Sequence, residues 1–327
     1  MARISVIIVN YNSGARLKRC LDALDTQTFK DFETIIVDNA STDGSASATN
    51  ETALAIKLIQ SEDNLGFAVA NNNAAKVATG EWIAFLNPDA YARADWLEQL
   101  IAATTRYPNI DAFGSTQRDA VDPKIIDGAG DVYHALGLTY RAHNGKALDE
   151  APPDHGCFSP CAAAMMIRKT SFQSLGGFDE GFFCYGEDVD LGFRLRLAGG
   201  TAIQLRDAVV LHEGSGVTGR YSEFTVYHGN RNRIWLTYKN MPALLYFWLG
   251  PVQLAINFYL LIRYTMIGRG RVYARALWDG YGGLWQMASL RRSTQSKRRA
   301  TTGDIARAIT WSPLKAIRRQ ARQQPVE

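Results

Sequence analysis

Reactive side chains are scarce in this chain, with 4 cysteines and 5 histidines among 327 residues. Cys20, Cys157, Cys161 and Cys184 form no CxxC pair, and Cys157 and Cys161 lack a second ligand pair at zinc spacing. That excludes a zinc ribbon and leaves the expectation of reduced, mostly buried thiols in a cytosolic protein. No GxGxxG follows the first apolar run, and a Walker loop is absent. Any bound phosphates are therefore expected outside a glycine-rich cradle. Met1-Ala2-Arg3 leads straight into an apolar run, without the core and cleavage site of a signal peptide. Acidic residues all but vanish toward the C-terminus. Residues 228–327 hold 3 Asp and Glu against 17 Lys and Arg, whereas residues 1–227 hold 29 against 19.

What is present describes a globular protein: 46% of residues are hydrophobic and 21% charged. Ser5–Val9, Glu33–Val37, Ile56–Ile59 and Trp82–Leu86 read as buried strands. Helical spacing follows the first of them, at Leu17, Cys20, Leu21 and Leu24, with Ser13 as the expected N-cap. A polar turn at 38–44 is expected to open another helix, and 95–107 forms an amphipathic one. Strands alternating with helices imply a mostly parallel, doubly wound α/β sheet. Residues 111–155 are rich in glycine and polar side chains and carry no clear period. Phe158–Arg168 reads as a strand or an interface, and Val209–Leu211 as a further strand.

Three polar clusters leave strand ends: Asn10–Asn12, Asp38–Asn39 and Asn87–Asp89. Pro88 cannot donate to a ladder, so the fourth strand ends at Asn87 and holds Asp89 just beyond it. Each cluster alone is compatible with an ordinary turn. Three on one edge match the place where open α/β sheets bind nucleotide-sized ligands. A carboxylate at Asp89 suits a hard divalent cation carrying phosphates. A second chemical cluster is Gly186-Glu187-Asp188-Val189-Asp190, at the start of a helix. Acidic residues are favoured there by the helix dipole alone. Crowding three of them can also raise one pKa into the range of base catalysis. His212 leaves the late strand.

Taken in order, Val6–Asn12, Val37–Gly44, Asn64–Asn72, Asn87–Asp89, Gly176–Asp179, Gly186–Asp190 and His212 resemble family 2 inverting glycosyltransferases of the GT-A fold. Within that family they look most like the bacterial rhamnosyltransferases of cell-surface polysaccharide assembly. The resemblance implies that Asp38 accepts from N3–H of a uracil or thymine and that Tyr11 flanks the base. Asn10, Asn64, Asn71 and Asn87 would complete the nucleotide-sugar site. Asp89 matches the last position of the metal-binding DxD motif, with Asn87 at the first, and His212 completes the coordination of Mg²⁺ or Mn²⁺. Asp188 matches the general base, with Glu187 beside it, and Gly177, Phe178 and Asp179 lie where the acceptor is expected. The reaction implied is transfer from a nucleotide-sugar donor, here dTDP-rhamnose, to a lipid-linked saccharide. A UDP-hexose or UDP-galactofuranose donor is the alternative, and a catalytically silent nucleotide-sugar-binding partner of an assembly complex is another. The QxxRW motif of processive relatives is absent; Asn230–Trp235 does not match it.

The expected division is a catalytic domain over 1–230 and a basic, aromatic helical region over 231–327. Asn240–Ile262 contains no charged residue and is long enough to span a bilayer core, yet Pro242, Pro251, Gln253 and Asn257 interrupt it. Basic residues and tryptophans flank it, as in segments lying on an anionic membrane surface. The expected location is the cytoplasmic face of a bacterial cytoplasmic membrane, peripheral or monotopic. No nucleic-acid recognition module accompanies the basic charge, so nucleic acid is not an expected partner.

Overall fold

The computed structural model describes residues 2–214 and 222–321. The first half alternates as expected: β1 Ile4–Asn10, α1 Ala15–Asp25, β2 Phe32–Asp38, β3 Ile56–Gln60, α2 Gly66–Val77 and β4 Trp82–Leu86. β5 Ala90–Ala92 and α3 Trp96–Arg106 follow. β1 pairs in parallel with β2 and β4, and β2 with β3. The β1–β2 register sets Asn10 opposite Asp38, so two of the polar strand ends lie side by side.

Two local expectations fail. Ser13 does not cap α1: Gly14 is the N-cap residue, and the Ser13 hydroxyl bonds the side chain of Asn10. The segment after Asp38 forms only a single-stretch 3₁₀ helix, Ser45–Asn50. Its first residue, Ser45, bonds the side chains of Asn10 and Asp43, and the segment has no apolar stripe to bury.

Residues 111–155, without a readable period, build β6 Ala112–Asp119, β7 Ile125–Gly128, β8 Asp131–His134, β9 Leu138–Arg141, β10 Lys146–Ala147 and, at their end, β11 His155–Gly156. β12 Ala164–Arg168, α4 Lys169–Leu175, α5 Glu187–Leu197 and β13 Ala202–His212 complete the sheet region. The strand order is β10-β7-β6-β12-β4-β1-β2-β3, with β12 antiparallel to both neighbours. β13 runs parallel to β6 and antiparallel to β5, in a register that puts His212 beside Ala90. That pairing carries His212 to the turn holding Asp89.

Alternation along β1 covers both faces of the sheet. Ile4, Val6 and Ile8 pack with α1 and α3, whereas Ile7 packs with Phe85 and α2. The chain then forms α6 Glu223–Asn240, α7 Ala243–Met266, α8 Gly270–Gly282, α9 Leu284–Ser296, α10 Thr302–Ala308 and α11 Pro313–Ile317. The expected domain boundary at 230 falls inside α6. Trp235, Leu236, Met241, Met287 and Ile305 share one core with Val189, Phe193 and Leu197 of α5. Lys239 of α6 reaches the fully buried Asp190 at 2.6 Å and also bonds Asp179. Asp190 is matched further by Arg194 at 2.7 Å and Asn240 at 2.6 Å. Removing one partner of such a buried pair costs about 3–5 kcal/mol, because the other charge is left unpaired. The helical region is thus bolted to the sheet region at α5.

Candidate active site

At the β1–β2 end, Asn10 is fully buried and works as a hub. Its amide nitrogen donates to Asp38 at 2.8 Å and to Ser45 at 2.9 Å. The hub fixes one carboxylate oxygen of Asp38. Tyr11 stands next to it, 41% exposed and free to stack on a planar ligand. Asn39 donates to Asn64 at 2.8 Å and accepts from the Leu65 N–H at 3.0 Å, which ties the loop before α2 to this edge. Asn10 and Asn64 therefore shape the edge through bonds within the protein. Asn71 turns back on its own helix, donating to the Phe67 carbonyl at 2.9 Å.

At the β4–β13 end, Asp89 Oδ1 lies 3.5 Å from His212 Nε2, both buried. His212 Nδ1 lies 2.8 Å from Asp127 on β7. This line of carboxylate, imidazole and carboxylate fits a metal. Asp127 accepts the Nδ1 proton and turns Nε2 toward Asp89, the arrangement by which an outer carboxylate orients a ligand histidine. Arg141 on β9 pairs with Asp127 and lies 3.3 Å from the His212 ring. Burial alone would raise the Asp89 carboxyl; the hydrogen bond and charge of His212, with Arg141, bring it below the usual range. Burial would lower His212, and its bonds to Asp127 and Asp89 raise it instead. Asn87 anchors the turn through its backbone: its N–H donates to Ala163 at 2.9 Å and its carbonyl accepts from Ala90 at 3.0 Å.

The α5 cluster opens on a cavity of about 330 Å³. Glu187, Asp188, Asp131, Arg141, Asn87 and Arg233 are among its walls. Asp188 accepts from the Ala162 N–H at 3.1 Å and from its own helix at Val189, 2.8 Å. Asp131, which opens β8, is pushed well above the carboxylate range, first by burial and then by the charge of Asp188. Glu187 is likewise raised, by burial and then by Asp188, and its Oε2 is buried without a partner. Among the described residues nothing bonds that oxygen. Oxygens of Asp131 and Asp188 and the Cys161 sulfur lie within 4.8 Å of one another. Burial pushes the Cys161 thiol far up, so it stays protonated and is a poor ligand for a hard cation. The turn before α5 is strained: Phe183 and Tyr185 have φ of 61° and 71°.

The residues expected at the acceptor are committed to the fold. Phe178 is buried among Phe85 and Phe172, 4.9 and 5.3 Å between ring centres. Asn72 clamps its backbone, donating to the Phe178 carbonyl and accepting from its N–H, both at 2.9 Å. Gly177 has φ of +74°, and a Cβ there would meet Asn72 Oδ1 at 2.5 Å. Asp179 is held by Lys239. These groups position the strained turn rather than offer a free surface. Asp127, Asp131 and Arg141 were not singled out in sequence; all three come from the segment without a period, where no motif marks them.

A family model described as "Glycosyl transferase family 2" matches residues 5–176. The match covers the β1, β2 and β4 ends and stops before Glu187 and His212. The N-acetylglucosaminyl-diphospho-decaprenol L-rhamnosyltransferase of Mycobacterium tuberculosis is 29% identical over 242 residues, 66% of this chain and 78% of that protein. The O-antigen biosynthesis protein RfbC of Myxococcus xanthus is 30% identical over 230 residues, 65% of this chain and 17% of its own length. Among solved structures, the mannosyltransferase PcManGT from Pyrobaculum calidifontis, in complex with GDP-Man and Mn²⁺, superposes with a TM-score of 0.56 at 19% identity, over 96% of this chain and 87% of that one. Residues 1–349 of S. aureus TarS superpose with a TM-score of 0.55 at 16% identity, covering 95% and 93%. These two likenesses concern the GT-A fold.

Proposed function

Because the chain belongs to glycosyl transferase family 2, we propose that it transfers L-rhamnose from dTDP-rhamnose to a lipid-linked saccharide, with inversion. The named activity of the mycobacterial relative supports this reading. The observation that carries it is the position of Arg141. This side chain bonds the Asp127–His212 line and also lines the cavity of Asp188 and Glu187. A donor diphosphate at the first group and an acceptor hydroxyl at the second would therefore be neighbours.

In this reading Asp38 accepts from N3–H of the pyrimidine and Tyr11 covers its face. Asp89 and His212 would hold Mg²⁺ or Mn²⁺, which supplies Lewis-acid neutralisation of the charge gathering on the departing diphosphate. Asp127 keeps His212 in the ligating tautomer, and Arg141 adds a fixed positive charge beside the same phosphates. Asp188 takes the proton from the acceptor hydroxyl as the bond to the anomeric carbon forms. Asp131, protonated, spares Asp188 a second negative charge at close range. Glu187 donates a hydrogen bond to the acceptor from its unpartnered oxygen. No covalent nucleophile is required. Transfer assays with dTDP-rhamnose, UDP-glucose, UDP-galactose and GDP-mannose, with and without Mn²⁺, test the donor. Preference for dTDP-rhamnose is expected, and preference for another donor refutes that part of the reading.

The helical region over 231–327 would place the site at the cytoplasmic face of the membrane. α7 is long and apolar enough to cross a bilayer, and only 11% of its apolar window is buried. Phe247 and Trp248 are 73% and 68% exposed. Such a face, beside basic residues, suits an anionic lipid surface. Replacing Phe247, Trp248 and Phe258 by serine should abolish co-sedimentation with anionic liposomes; full retention would place membrane contact elsewhere.

A further inference from the structure

The transfer reaction leaves a second cavity unused. It has a volume of about 450 Å³ and lies among the C-terminal helices. Phe247, Leu254 and Asn257 of α7 line it, with Leu284 of α9 and Arg233 of α6. Its wall is mainly apolar, and it borders the exposed face of α7, where Leu254 and Phe247 are open to solvent. Arg233 is the unusual member, because it lines this groove and the α5 cavity alike. Its side chain is almost fully buried. It donates to the Gly137 carbonyl at 3.2 Å, to the Asn257 amide oxygen, and to the Tyr273 hydroxyl at 3.3 Å. All three acceptors are neutral. Among the described residues, the Nε atom is buried and bonds nothing. A buried cation with neutral partners and a spare donor is costly unless an anion completes it.

We propose that the groove takes the prenyl chain of the lipid-linked acceptor and that Arg233 pairs with the acceptor's diphosphate between groove and cavity; this rests on the acceptor reading above. The order of groups in such a molecule matches the order of sites. The hydrocarbon lies along α7, the diphosphate meets Arg233, and the saccharide enters the cavity of Asp188. The groove is then a substrate subsite that adjoins the outer face of α7 meeting bulk lipid and shares Phe247 with it.

The test is binding by the full chain in detergent, read by calorimetry with a sugar-free, long-chain prenyl diphosphate and with its single-isoprene counterpart. Leu254→Trp narrows the groove from a position half open to solvent and is expected to fold. It should weaken long-chain binding by about tenfold or more, the loss expected from returning about two methylene groups to water. The short diphosphate should bind both proteins alike. Arg233→Gln should weaken both ligands by about tenfold or more, as loss of a charged hydrogen bond does; a thermal melt checks that it folds. Equal effects of Leu254→Trp on the two ligands, or no effect on either, would overturn the groove assignment. So would an equally tight complex with a two-chain phospholipid. Unchanged diphosphate binding in a folded Arg233→Gln would overturn the role of Arg233. Because these ligands carry no saccharide, failure of sugar transfer would sink the acceptor reading while leaving the binding result in place.

Discussion

The two halves of the site are built by opposite means. One half is a property of single strands: Asn10, Asp38 and Asp89 sit where parallel strands of the first half stop. The other half is a property of pairings. Asp127, Asp131 and Arg141 come from short hairpin strands, and each matters only through a partner more than ten residues away. Charge follows the same division. At the β1–β2 edge, neutral amides and hydroxyls joined by hydrogen bonds surround Asp38, whereas the α5 cavity gathers three carboxyls with the guanidiniums of Arg141 and Arg233. Strand ends give binding positions at little energetic cost; chemistry that needs shifted pKa values requires burial, and therefore long-range packing.

Three substitutions sharpen this contrast. The largest effect is expected at Asp188. Asp188→Asn keeps the size and removes the basicity, so turnover should fall by about 10²–10⁴-fold with donor affinity preserved. Turnover close to that of the wild type would take the base out of α5. Next comes Asp127→Asn, which frees the His212 tautomer. Mn²⁺ affinity should drop by about 10–100-fold, the usual consequence of losing an orienting carboxylate; a titration showing no change would mean that His212 is not a ligand. The smallest effect is at Glu187. Its folded-state pKa is raised, so the folded chain keeps a proton that the unfolded chain loses above about pH 4.3. Stability therefore falls as pH climbs from there through the folded pKa. Glu187→Gln removes that slope and should melt higher than the wild type at about pH 8, with the difference shrinking toward about pH 4. A difference independent of pH would mean that Glu187 is ionised in the folded chain.

The same contrast explains what could be read in advance. β1, β2 and β4 announced themselves because an apolar run between breakers suffices to define a buried strand. Asp89 was legible because Pro88 forces the ladder to stop. The acidic opening of α5 was legible because three acids stand in one helical turn. His212 was legible only as a strand end; its approach to Asp89 depends on the β5–β13 register. Asp127 and Arg141 were not legible, since β7 and β9 are four residues each, too short for a period to stand out. Phe178 and Asp179 carried a motif, yet motif and contact differ: packing against Phe85 and pairing with Lys239 consume them. The tail showed its apolar run but not its shared core with α5, because that core draws on residues scattered from 133 to 309.

Asp89 offers the most direct test. Calorimetry of nucleoside diphosphate binding, with and without Mn²⁺, should show metal-dependent affinity in the natural chain and none in Asp89→Ala. The same metal dependence persisting in Asp89→Ala would contradict the assignment of the β4 turn as the donor's metal corner.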